Sequence, residues 1–197
     1  MRYILILCLS FSLCSVSSTA QEAFEWSPNH ELTLTDFTSP QSEINPELNT
    51  YSVYPGSTME FFYQMSHAEF AFKKNFNSYA VCKFNPSVAA IIAPNSEYAE
   101  QLLRLERYNF DLHELYARKF RKALFENKKF GSSTNFFQNI WNELSAEMTQ
   151  VHAQAVKSTN MGADEELLNQ LHTEVKAEIE VLYEFCKTCK PPKKKKK

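Results

Sequence analysis

The chain has 197 residues, 44% of them hydrophobic, including 16 Phe, and a formal charge of −2, which suits one domain with a real core. The charge is uneven: residues 22–189 hold 14 Lys and Arg against 23 Asp and Glu, and Lys190 and Lys193 to Lys197 then add six positives. An acidic body argues against a nucleic-acid partner.

Arg2, the apolar run Tyr3 to Leu13 and the small residues Ser18-Thr19-Ala20 read as a signal peptide over residues 1–20, cleaved before Gln21. The run is too short to span a bilayer comfortably. Cys8 and Cys14 follow Leu7 and Leu13, which lack the small side chain that lipoprotein cleavage needs. The expected product is therefore periplasmic or secreted and carries no lipid anchor. A single domain is expected over residues 21–189, followed at 190–197 by a basic tail that does not fold.

Gln21 to Pro55 is rich in Ser, Thr, Asn and Pro and predicts irregular chain, with one short strand near Leu32 to Leu34. Thr58 to Met65 and Ser78 to Phe84 carry aromatic and β-branched residues and predict two strands of a small antiparallel sheet. Phe70 and Phe72 have the parity to extend the first, and Asn75, Asn77 and Asn85-Pro86 supply turn chemistry. Val88 to Ile92 is apolar without a clear period.

The second half has helical periodicity. Ser96 to Asn127 predicts the main helix, ended by Gly131-Ser132-Ser133. Thr134 is a cap for the next, with a stripe of Phe137, Ile140, Trp141, Leu144 and Met148. Met161-Gly162 breaks that pattern. Asp164-Glu165-Glu166 opens a last helix, with Leu168, Leu171, Val175, Ile179 and Leu182 on one face. The expected fold class is α+β: a small antiparallel sheet followed by three helices. Near the end, Cys186-x-x-Cys189 reads as a local disulfide or two free thiols, since neither a helix N-terminus nor a second ligand pair accompanies it.

Leu105-Glu106-Arg107-Tyr108-Asn109-Phe110-Asp111 reads L-E-R-Y-N-F-D, where a zinc protease helix would read H-E-x-x-H-F-D. Two His four residues apart share one helix face and grip one zinc, and the Glu takes a proton from zinc-bound water. Here the Glu is present and both His are replaced. Leu105 has no lone pair, and Asn109 offers a neutral amide oxygen suited to harder cations. Leu105 also falls in an apolar stripe with Leu102, Tyr108, Leu112 and Leu115, so an ordinary core role explains it without any metal.

Tyr98 to Leu124 resembles the helix of a bacterial secreted family, domain of unknown function 922, described as predicted secreted zinc-dependent proteases. Phe110-Asp111 and Glu114-Leu115-Tyr116-Ala117-Arg118-Lys119 match the family pattern H-F-D-x-x-E-L-Y-A-R-K. Leu32-Thr33-Leu34-Thr35-Asp36-Phe37 is similar to its L-T-W-x-D-F opening. Thr159-Asn160-Met161-Gly162 stands where the family often has T-N-H-G, a candidate third ligand.

The resemblance implies a zincin-like arrangement with the main helix backing the sheet. It also implies that Leu105, Asn109 and Met161 replace three metal ligands while Glu106 keeps the general-base position. The zinc expected in the family is then expected to be absent. Function is expected to be that of an exported, catalytically inactive homologue that binds peptide or an envelope component, with the tail touching anionic surfaces. The alternative is an active secreted metalloprotease with a rearranged site. There Glu106, Asn109 and His113 share a helix face, and His152 or His172 joins them.

Overall fold

A computed structural model describes residues 22–193. The leader expected at 1–20 and Lys194 to Lys197 of the tail lie outside the described residues.

The first half forms two three-stranded sheets rather than one. In the first, β1 (Phe24–Glu25), β5 (Ala80–Phe84) and β4 (Ser57–Phe61) lie in the order β1-β5-β4, all antiparallel. In the second, β6 (Ala90–Ala93) runs between β2 (Glu43–Ile44), parallel to it, and β3 (Ser52–Tyr54), antiparallel. The expectation of a single antiparallel sheet is corrected here. The turn at Asn85, whose carbonyl accepts from the Val88 and Ala89 amides, sends the chain from β5 into β6. Gly56, between β3 and β4, makes the crossing possible: a Cβ there would stand 2.9 Å from the Asn85 carbonyl and from the Ala89 and Phe84 side chains. The Ala-Ile-Ile-Ala run of β6 is almost wholly buried, so no alternation marked it as a strand.

Other local expectations fail for visible reasons. Leu32 to Leu34 is not a strand. Leu34–Asp36 forms a single 3-10 turn, held by Asp36 Oδ2 accepting from the Thr33 amide and hydroxyl at 2.7 and 2.9 Å. Phe70 and Phe72 do not extend β4. They sit in α1 (His67–Phe72), where Ser66 Oγ accepts from the Glu69 amide at 3.2 Å. The Ser66-x-x-Glu69 spacing is a helix-start signal that outweighs the apparent period of two. Thr134 caps nothing: its carbonyl accepts from the Tyr63 hydroxyl, and α3 (Gln138–Ser158) starts four residues later with Phe137 at the cap position.

The main helix, α2, spans Ser96–Asn127, and its first turn is capped by Asn95 Oδ1, which accepts from the Tyr98 amide at 3.1 Å. It buries residues around its whole circumference. One side packs on the sheets through Leu102, Leu103, Phe110 and Ala117. The other packs on α3 and α4 (Glu165–Val181) through Leu105, Leu112 and Leu115. Near its C-terminal end, Phe120 and Leu124 join Phe61, Phe76 and Trp141 in an aromatic cluster. The class is therefore mixed α/β, with small sheets and four helices, one more helix than expected.

A buried ion cluster ties these layers together. Glu114 accepts from Arg118 Nε at 2.8 Å and from Arg121 Nη1 at 2.9 Å. Arg121 also donates from Nε and Nη2 to the Ala80 carbonyl of β5 and from Nη1 to the Phe185 carbonyl. Arg118 Nη1 reaches the Ile179 carbonyl in α4 at 2.8 Å. Each guanidinium so satisfies backbone acceptors on a different layer. Much of the run that carries the family resemblance is thus structural bracing.

Candidate functional site

The segment Leu105 to Asp111 sits where α2 faces α3 and the loop after it. Leu105 is 1% exposed and packs with Tyr108, Leu112, Leu115 and Leu168. The loop Thr159–Gly162 folds back on the α2 turn that carries Leu105. Asn160, Met161 and Gly162 take φ of 49°, 56° and 85°. The Met161 amide donates to the Val156 carbonyl at 2.7 Å, and Gln101 Nε2 donates to the Met161 carbonyl at 3.1 Å. A Cβ on Gly162 would lie 3.5 Å from Leu105 Cβ. Position 162 therefore touches position 105, while the Met161 side chain packs against the cluster that holds Leu102 and Leu103.

Glu106 is 1% exposed and accepts from Asn109 Nδ2 at 3.2 Å. Burial pushes its carboxyl up to about 7, against a smaller opposing effect of the Asn109 amide. Asn109 is equally buried, and its Oδ1 has no hydrogen-bond partner. His113 Nδ1 lies 2.8 Å from the Asn109 carbonyl. Burial lowers the pKa of both His113 and His152, and each His152 charge would further disfavour one on His113. His152 Nε2 is also buried without a partner. His172 does not join this group, because it is bonded to Asp111 instead.

These residues do not fit zinc. Leu105 offers no donor, the Met161 side chain lies in the neighbouring core cluster, and Asn109 contributes one amide oxygen. Among the described residues no group of three or more His, Cys, Asp and Glu could hold a metal ion. Glu106, sealed from solvent, also has no bulk water within reach to deprotonate.

Elsewhere, Cys186 and Cys189 are joined by a disulfide. Cys82 is a free, buried thiol whose pKa is raised, first by burial and then by Glu114, so it is unreactive as a nucleophile.

A second group was not legible in the sequence. Asp111 accepts from Trp26 Nε1 at 2.6 Å and pairs with His172 Nε2 at 2.7 Å, with Lys176 Nζ 3.9 Å away. Together with Arg107 and Leu32 they line an open cleft of about 290 Å³. Arg107 is fixed there by the Leu32 carbonyl at 2.8 Å and Glu31 at 3.1 Å. Trp26 and His172 are 85 and 61 residues from Asp111, so no local spacing announces the group. Its one visible trace was Phe110-Asp111, where Asp111 falls on a different helix face from Glu106.

The chain matches no family model, no curated protein and no solved structure.

Proposed function

We propose that this protein is an exported, catalytically inactive relative of zinc-dependent proteases that acts by binding a peptide or an envelope component. The observation that carries the reading is the state of the motif position. Leu105 fills the core, and Glu106 next to it in sequence is buried as a carboxyl whose pKa is pushed up to about 7. A general base for hydrolysis needs water and a metal ligand beside it, and neither fits there. The contact of Gly162 with Leu105 supports equating Met161 with a third lost ligand.

The surface best suited to a ligand is the Trp26–Asp111–His172 cleft. It opens next to β1, an edge strand of two residues, where an extended peptide has unpaired backbone to meet. The cleft supplies an indole face, a bonded imidazole and cations at Arg107 and Lys176.

A second reading has one observation in its favour. Asn109 Oδ1 and His152 Nε2 are both buried without partners near Glu106 and His113, as a rearranged metal site would require. Elemental analysis separates the two. The expected result is no stoichiometric zinc, and no melting shift with zinc or chelator. The Cys186→Ser, Cys189→Ser variant excludes adventitious thiolate binding. One zinc per chain in that variant, with peptide hydrolysis lost on Glu106→Gln, would establish the enzyme instead.

A further inference from the structure

The outer edge of β4 carries a row of unpaired backbone groups. The Phe62 amide donates to the Tyr79 carbonyl at 3.1 Å and the Asn85 amide to the Gly56 carbonyl at 2.9 Å, in the register that sets Thr58 against Lys83 and Glu60 against Val81. In an antiparallel ladder residues two apart turn their backbone groups the same way. Positions 56, 58, 60 and 62 therefore face β5, and the N–H and C=O groups of Ser57, Met59 and Phe61 face away from it. Among the described residues none of those groups has a hydrogen-bond partner. Such a row is a template for another strand.

The other edge strands are short: β1 and β2 have two residues and β3 has three, whereas β4 has five. Short strands, lysines, prolines and unmatched charges are the usual guards of a sheet edge. Ser57–Phe61 contains no Pro or Lys, and its one charge, Glu60, is matched by Lys83 on the neighbouring strand at 2.7 Å. No such guard stands on β4.

The edge fits a second copy of itself in one register. Two antiparallel copies centred on Met59 place Ser57 against the partner's Phe61 and Met59 against the partner's Met59, so every free N–H and C=O of the row is used. Thr58 falls opposite the partner's Glu60, a hydroxyl beside a carboxylate. Phe62, 75% exposed, falls opposite the partner's Gly56, which has no side chain to compete for the space. Sliding by two residues one way sets Glu60 against the partner's Glu60, and like charges directly opposite destabilise a sheet. Sliding the other way sets Phe61 against the partner's Pro55, which has no N–H to give. A slip of one residue turns the free groups toward groups already bonded to β5.

We propose that two copies of this protein join through β4 about a two-fold axis, giving one continuous sheet in the strand order β1-β5-β4-β4-β5-β1. Each half of the seam then carries its own Lys83–Glu60 pair, and no charge faces its like across it. β1 and the Trp26–Asp111–His172 cleft beside it stay at the two outer ends, free to take a ligand. The dimer therefore presents two such clefts on one sheet. This inference stands independently of the protease-like reading.

Sedimentation equilibrium of residues 21–197 from micromolar to millimolar concentration tests it, with amide hydrogen exchange at both ends of that range. A monomer–dimer equilibrium is expected. The Ser57, Met59 and Phe61 amides should exchange fast in the monomer and slowly in the dimer, whereas those of Thr58 and Glu60 stay protected throughout. Thr58→Glu sets carboxylates opposite each other, twice by symmetry, and should weaken the dimer about tenfold or more at low salt. Adding Glu60→Thr only exchanges the two residues and should restore it. Both positions are exposed, and melting curves establish that each variant is folded. Monomers at every concentration would overturn the proposal. So would a dimer indifferent to Thr58→Glu, or one in which Met59 and Phe61 exchange as fast as in the monomer. Protection of those amides only by an added peptide of alternating Thr and Val would also overturn it, assigning the edge to a partner strand.

Discussion

Glu106 is the residue at which physical chemistry makes its sharpest statement. Its carboxyl, normally titrating near 4.5, is raised to about 7 in the folded protein. The folded state therefore holds the proton more tightly than the unfolded chain. This contribution to stability is fully present below pH 4.5 and is lost as pH rises through about 7. The loss by pH 8 is on the order of 3 kcal/mol. Glu106→Gln removes the titration and offers the unpartnered Asn109 Oδ1 a donor. Urea unfolding should find the variant more stable than the parent at pH 8 by roughly that amount, and little different at pH 4. Equal stabilities at pH 8 would mean that the carboxylate is solvated. Arg121 makes the complementary case. Its charge is compensated by Glu114, and its other donors serve two backbone carbonyls. Arg121→Met strands the Glu114 carboxylate with Arg118 alone and should cost about 3–5 kcal/mol. A denaturation midpoint within error of the parent would show that the cluster is dispensable.

At the level of elements, the helices α2, α3 and α4 were the most legible. Their apolar periodicity is long, and α2 spans Ser96–Asn127 as the pattern predicts. Short elements were not. Ser66-x-x-Glu69 starts a helix of six residues that the spacing of Phe70 and Phe72 disguised as strand. The Ala-rich β6 lacked alternation because both of its faces are covered. The loop at Asn160 to Gly162 was visible as a break, but its contact with Leu105 depends on tertiary packing. That contact makes a prediction. At Gly162 a Cβ would meet the Gln101 carbonyl at 3.0 Å, and the φ of 85° already disfavours a side chain. Gly162→Ala should destabilise by about 1–3 kcal/mol. Gly131→Ala, where nothing lies within 4 Å, should be near neutral. Thermal unfolding of the pair checks this, and similar losses at both sites would refute it.

Across the whole molecule, separation in sequence decided what could be read. The Glu106 neighbourhood was partly legible because Glu106, Asn109 and His113 share one helix face. The Trp26–Asp111–His172 cleft draws on three distant segments and needed the fold. The Cys186–Cys189 bridge spans three residues, so it restricts the unfolded chain little, and its removal should cost about 2 kcal/mol or less. Its larger effect should be positional, since both cysteine carbonyls accept from Asn77. Hydrogen exchange of residues 183–189 should quicken in Cys186→Ser with Cys189→Ser, while α2 stays protected. Equal protection of that segment in both proteins would assign the clamp to Asn77 alone.

The two backbone acceptors of Arg121 come from either side of α2 in the chain, Ala80 before it and Phe185 well after it. For a polypeptide made from its N-terminus, the second emerges only after α2, α3 and α4 have all been made. Until then the guanidinium has no full set of partners, and the faces of α2 meant for α3 and α4 remain bare. The nascent chain should therefore stay uncommitted until α4 and Phe185 have emerged and then consolidate in one step. Molecules interrupted before Phe185 would expose the aromatic interior that chaperones and proteases recognise.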